Sequence, residues 1–201
     1  MATRRDGEVP SRPYLQLGVS SNVTYTYDES RKEGERITSV WVNGKPIDPK
    51  GTYSVGSGSF LIAGRDNFTE LAKGSKPVDS GKINLSAWVD WIKARKTLKP
   101  DFAKRAVSLT TSLHEGTSRD TTFTLGKPAD KAVAPDTVDF TSKDAVVNTI
   151  MKAQIVQDDK TVDVATTPVK DGWSSVSVKV PTAKGLVSGE ATTVFTFPDS
   201  G

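Results

Sequence analysis

The feature that most limits the possible folds is a change of period near Ala106. Before it, Leu85, Trp88, Val89 and Ile92 recur at i, i+3, i+4 and i+7, which makes one apolar stripe on a helix. After it the helical period is gone. Short runs of Val, Thr and Ser take over, and Val176, Val178 and Val180 set against Ser175, Ser177 and Lys179 form the clearest half-buried strand. One such change along the chain predicts two parts, the first α+β and the second all-β.

In the second part the candidate strands are Ala106 to Thr110, Thr121 to Leu125, Thr137 to Thr141, Asn148 to Val156, Thr161 to Thr166, Ser174 to Val180 and Thr192 to Phe197. Short strands at this spacing, parted by Gly, Pro and Asp turns, predict an immunoglobulin-like β-sandwich over 106–201, with Trp173 plugging the core edge. The first part, 14–105, reads as a mixed sheet with one or two helices. Residues 1–13, with Pro10, Pro13 and a run of charges, read as a poorly ordered lead-in.

Within 14–105, Tyr14 to Leu17 reads as a short strand, and Val23, Tyr25 and Tyr27 alternate with Thr24 and Thr26 in a second. The charged stretch Asp28 to Arg36 is then a hairpin loop and Ile37 to Val42 the return strand. Asn43-Gly44 marks a tight turn, because both residues tolerate positive φ. Pro46 and Pro49 keep their segment at an edge or in a loop, and another strand is expected over Thr52 to Val55. The stripe helix takes Asn84 as its cap, Lys93, Arg95 and Lys96 near its negative end, and Pro100 as its stop. Trp88 and Trp91 on it read as core-filling rings rather than ligand platforms.

Composition excludes several functions. The 201 residues suffice for two domains with respectable cores. Lys and Arg total 27 against 24 acids, interspersed, so there is no basic block of the kind that grips nucleic acid. No apolar run reaches the roughly 20 residues of a membrane-spanning helix. The charged start has no apolar segment to act as a signal peptide. Without cysteine there is no disulfide, thiolate metal site or cysteine nucleophile. The one histidine, His114, lies in the polar stretch Thr111 to Gly116 and reads as solvated in a loop. Zinc and two-metal hydrolase centres draw on several imidazoles, so neither is expected here. No G-x-S-x-G elbow accompanies His114, which makes an independent Ser-Asp-His enzyme the weakest reading, and Gly56 to Ser59 only superficially suggests one. Asp158-Asp159 reads as a solvated turn, and no metal is assigned to it.

The stretch most able to hold a ligand is Ser59 to Phe68. It sets two aromatic rings and one carboxylate on a glycine-containing turn between an expected strand and a helix-compatible segment, Asn67 to Ala72. An exposed Phe60 offers a flat ligand a stacking partner, and an ionised Asp66 accepts from two hydroxyl donors. On residue type alone, Phe60 in a core and Asp66 as a turn-former is the commoner outcome.

A series of motifs in register raises the functional reading. Tyr14-Leu15-Gln16-Leu17 and Tyr27-Asp28-Glu29-Ser30 through Gly34-Glu35-Arg36-Ile37 come first, then Val42-Asn43-Gly44-Lys45-Pro46-Ile47-Asp48-Pro49 and Thr52-Tyr53-Ser54-Val55. Phe60-Leu61-Ile62-Ala63-Gly64-Arg65-Asp66-Asn67-Phe68 completes the series. Together they resemble the C-terminal, substrate-binding domain of the 5′-nucleotidase family, metal-dependent enzymes that remove phosphate from nucleotides and related esters. The resemblance implies that Phe60 is one face of an aromatic clamp on a nucleoside base, that Asp66 bonds the sugar hydroxyls, and that Phe68 packs underneath. Gly64, Arg65 and Asn67 complete the implied substrate-binding set; Arg65 and Asn67 stand where the family has glycines flanking the Asp.

The family's N-terminal metallophosphoesterase motifs, D-x-H, G-N-H-D/E and G-H-x-H, have no counterpart in this sequence, nor does the opening of the C-terminal domain with its second clamp Phe. The resemblance therefore implies the nucleoside- or nucleotide-recognition part of a larger phosphohydrolase, inactive alone, with no catalytic residue and no cofactor in this chain. The implied partners are the substrate and a missing N-terminal catalytic domain that uses two divalent metal ions. Some exported bacterial members carry β-sandwich modules before a cell-wall anchor, which implies a secreted or cell-surface parent. The alternative is a non-catalytic cell-surface interaction module on a degenerate nucleotidase scaffold.

Overall fold

A computed structural model of the chain describes residues 17–115, 119–127, 137–140, 144–158, 160–179 and 191–200. The expected lead-in over 1–13, most of the strand from Tyr14, and Val180 lie outside these residues. Contacts divide the chain into two compact units: one spans 48–101, and the other takes in the described residues on either side.

Among the described residues the flanking unit holds nine strands: β1 (Val23–Tyr27), β2 (Ile37–Val42), β3 (Lys45–Pro46), β4 (Ala106–Glu115), β5 (Arg119–Gly126), β6 (Ile150–Gln157), β7 (Lys160–Pro168), β8 (Trp173–Lys179) and β9 (Thr192–Thr196). They form a six-stranded sheet in the order β3-β2-β1-β4-β5-β8 and a three-stranded sheet in the order β7-β6-β9. With few helices elsewhere, the chain is mostly sheet and α+β in character. The β1–β2 hairpin forms as its alternation predicts, with Tyr25 opposite Val40. Asn43 and Gly44 both take positive φ, 53° and 71°, and turn the chain so that Lys45 pairs back on Val42.

One ladder departs from the expected division at 105/106. β1 pairs in parallel with β4, Tyr25 beside Ala106 and Tyr27 beside Ser108, so strands expected in separate domains share a sheet. Composition tracks which faces are polar, whereas sheet membership depends on which backbones pair, and the two need not break at the same place.

The core lies where the sheets meet. Leu125, Val176 and Val178 from the larger sheet join Met151, Ala153 and Ile155 from β6, all buried, with Val138 between them. The Phe123 and Phe195 rings, 5.3 Å apart, extend the contact from β5 to β9. Each large side chain sealed here stabilises by about 1.5–3 kcal/mol. Outward-facing hydroxyls pair across the strands, Thr122 with Ser177 at 2.7 Å and Thr124 with Ser175 at 3.1 Å.

Three expectations are corrected in this unit and its neighbour. Residues 137–140 bend instead of forming a strand, because Val138 donates its amide to the Gly172 carbonyl at 2.8 Å and no ladder partner remains among the described residues. His114 lies in β4, its backbone opposite Asp120, and not in a loop. No strand forms over Thr52 to Val55: Tyr53 folds back onto the preceding turn, where its hydroxyl accepts the Asp48 amide at 2.9 Å.

The 48–101 unit contains α1 (Ser59–Ile62), single-turn 3-10 segments at Arg65–Asn67 and Thr69–Lys73, and α2 (Asn84–Arg95). α2 starts from Ile83, in extended conformation, so the expected cap Asn84 is the first helical residue and offers no side-chain cap bond. Lys93 and Arg95 occupy the last turn as predicted, and Lys96 leaves it at φ 59°. The stripe does not fill a core: Leu85 is 72% and Trp88 63% exposed, and no residue of 48–101 is buried. The two indoles meet edge-on at 5.9 Å, and the Arg95 guanidinium lies 3.9 Å over Trp91.

The packing of the flanking unit generates two predictions. Gly126 has φ 74°, and a Cβ there would overlap the Gly172 carbonyl oxygen. Gly126→Ala is expected to destabilise by roughly 2–4 kcal/mol, through left-handed strain and overpacking together, and an unchanged urea midpoint would contradict that close approach. The second concerns the buried Asp28 in the β1–β2 loop. Burial pushes its carboxyl up, but the Ser30 hydroxyl at 2.6 Å, the Ser30 amide at 3.0 Å and Arg31 together outweigh it and hold it below the usual carboxylate range. A carboxyl lowered on folding adds stability above its unfolded value, 3.8, and loses it as pH falls through the folded value. Urea midpoints should therefore hold steady near neutrality and fall in the acid range, and Asp28→Asn should make that fall shallower.

Candidate functional site

The turn from Gly58 to Gly74 is assembled from short backbone bonds. The Gly58 carbonyl accepts the Leu61 and Ile62 amides at 3.0 Å each and so starts α1. The Ala63 and Gly64 amides close it onto Ser59 at 3.0 Å and Leu61 at 2.9 Å. Gly64 then takes φ 75°, and a Cβ on it would stand 3.1 Å from the Ala72 Cβ, so glycine provides both the conformation and the close approach of the next turn.

The left-handed conformation next falls on Asp66, φ 52°, and Asn67, φ 65°, and not on Arg65. Asp and Asn tolerate it best among non-glycine residues, since a short polar side chain can bond locally. The two positions where the resembled motif has glycine thus differ. Position 67 needs left-handed backbone and has Asn; position 65 does not, and Arg fits there without strain.

Phe60, Gly64, Arg65, Asp66 and Asn67 are all carried on this turn, with α1 packed against both 3-10 segments. The Phe60 ring is 56% exposed. Asp66 is exposed, and its carboxylate makes no hydrogen bond or ion pair with any described residue; the same holds for the Arg65 guanidinium. Leu61, Ile62, Phe68 and Leu71 are half-buried and form the inner side of the turn. The turn carries both an accessible ring and a solvated acceptor, the two chemistries that a flat, hydroxylated ligand uses.

One cluster carries no signal in the sequence. Phe102 and Lys104 precede β4, and Phe140 is distant in the chain, yet the two rings meet edge-on at 5.9 Å and the Lys104 ammonium lies 4.6 Å from the Phe140 centroid. Spacing along a chain does not reveal a contact of this range.

Among the described residues no three of His, Asp and Glu stand together to hold a metal ion. Asp158, at φ 52°, turns the chain from β6 to β7, and Asp159 lies outside the described residues. Among the described residues this donor set is not of the kind that holds a pair of divalent ions.

Comparison with known proteins bears on the same stretch. Residues 3–73 match the family model for the 5′-nucleotidase, C-terminal domain, a span that includes Phe60 to Phe68. Over 101 residues the chain is 35% identical to a 5′-nucleotidase-related protein of Glossina morsitans morsitans, covering 46% of this chain and 18% of that protein. The chain thus spans less than a fifth of that relative's length. No solved structure matches it. Both matches are to 5′-nucleotidase-type sequences, and the family model places the likeness in residues 3–73.

Proposed function

We propose that the chain is the nucleoside-recognition part of a larger, exported 5′-nucleotidase-like metallophosphohydrolase, with Phe60 stacking on the base and Asp66 accepting from the ribose hydroxyls. The observation that carries this reading is the exposed Phe60 ring on the same turn as a carboxylate with no partner among the described residues, within the residues that match the nucleotidase family. Gly64 and Asn67 shape the turn, and Arg65 is available to a phosphate. In this reading a pair of divalent ions in a separate N-terminal catalytic domain of the parent supplies phosphate-ester hydrolysis. This chain's residues bind and orient, and residues 106–201 are an immunoglobulin-like module of a secreted or cell-surface parent.

A second reading, a non-catalytic interaction module, is favoured by one observation: the exposed apolar stripe of α2, with Leu85 72% and Ile92 41% exposed. The two readings separate at Phe60.

Titration of the chain with adenosine, followed by nuclear magnetic resonance, is expected to shift the amides of 60–68. Phe60→Ala should weaken binding about 5- to 150-fold, the loss of one base-stacking contact worth about 1–3 kcal/mol. Asp66→Asn should weaken adenosine but leave the free base adenine nearly unaffected. Equal adenosine binding by the unsubstituted chain and Phe60→Ala would favour the interaction module. Incubated with AMP and manganese, the chain should release no phosphate; EDTA-sensitive turnover would overturn its assignment as a recognition part only.

A further inference from the structure

The 12 residues of α2 bury no side chain, and the apolar stripe of Leu85, Trp88, Val89 and Ile92 lies open with Trp91 beside it. The charges are arranged around that stripe. At 3.6 residues per turn Asp90, the one acid of the helix, falls about 150° from the stripe's centre, and the Lys82 ammonium neutralises it at 2.6 Å. Lys93 and Arg95 fall about 90° and about 70° to the stripe's two sides. With Lys96 and Lys99 they put four cations within 93–99, and no acid lies between them. The Lys93, Lys96 and Lys99 ammonium groups make no hydrogen bond or ion pair with any described residue, and the Arg95 guanidinium lies over the Trp91 ring.

We propose that α2 is a lipid-contact helix that lies flat on a bilayer rich in anionic lipid, its stripe set at the acyl boundary and its cations on the headgroups. Length requires the flat pose. Twelve residues at about 1.5 Å each span about 18 Å, against the roughly 30 Å of a hydrocarbon core, and no helix among the described residues is long and apolar enough to cross. Charge complementarity selects the headgroup, because four clustered cations gain from an anionic surface and little from a zwitterionic one. The two indoles favour lipid over a protein groove. A ring with an apolar body and one N–H donor suits the headgroup boundary, and a bilayer needs no matching shape to receive it. The surface shares no residue with the Phe60 turn and stands whether or not that turn holds a nucleoside.

The test is flotation of the chain with vesicles of phosphatidylcholine alone and of an equimolar mixture of phosphatidylcholine and phosphatidylglycerol, read together with tryptophan emission. The mixed vesicles are expected to bind the chain at least about tenfold more tightly than the neutral ones, to move its emission to shorter wavelength, and to release it in high salt. Lys93→Gln, Lys96→Gln and Lys99→Gln combined should weaken that binding about 100-fold, and Trp88→Ser about tenfold. None of these four side chains is buried, so the variants should keep the ¹H–¹⁵N spectrum of the two-sheet unit. No flotation with the mixed vesicles, equal binding to the neutral ones, or binding unchanged in both variants would overturn the proposal. So would poly-glutamate binding as tightly as the mixed vesicles, which would make the stripe a docking face for an acidic chain instead.

Discussion

The parallel ladder of β1 on β4 joins a hairpin that could not stand alone to a sheet that could. A two-stranded hairpin is marginal in water, and β1 with β2 and the two-residue β3 is little more than that. Tyr25 beside Ala106, with the Tyr25 amide donating to the Arg105 carbonyl at 2.8 Å, attaches it to strands whose other face builds the core. Parallel pairing requires a long crossover, since two strands that run the same way cannot be joined by a tight turn. In this chain the crossover includes the whole 48–101 unit, and that unit carries the candidate site.

Much of the sheet is legible in the sequence because its cause is local. The alternation at Ser174 to Val178 reports one wet face and one dry face, and Asn43-Gly44 reports a turn that few other pairs can make. The illegible parts depend on distant partners. Thr52 to Val55 has the residues of a strand but no neighbour to pair with among the described residues, and Tyr53 finds a bond to Asp48 instead. Thr137 to Thr141 has the composition of a strand, but the close approach of Gly126, Gly172 and Val138 turns the chain there. The division expected at 105/106 reflects a real change in composition, yet the ladder crosses it.

The candidate turn is legible in a different way. Its residues stand out by type and order, and the structure leaves Phe60 and Asp66 exposed on one turn. The backbone explains the two departures from glycine as no spacing argument could: left-handed geometry moves from Gly64 to Asp66 and Asn67 and passes over Arg65. The Phe102, Lys104 and Phe140 cluster shows the opposite limit, where chemistry arises from residues with no relation in sequence. Trp88 and Trp91 mark a third kind of failure, since an amphipathic stripe fixes the helix but not whether anything lies against it.

That 48–101 fully buries no side chain has a thermodynamic meaning. The heat capacity and cooperativity of unfolding come from apolar surface withdrawn from solvent, and here most of that surface belongs to the two-sheet unit. A calorimetric melt of this protein consequently reports mainly the sheets. The segment bearing the candidate site can loosen or tighten with little effect on the melting temperature, so thermal stability and ligand handling are free to vary largely separately in this molecule.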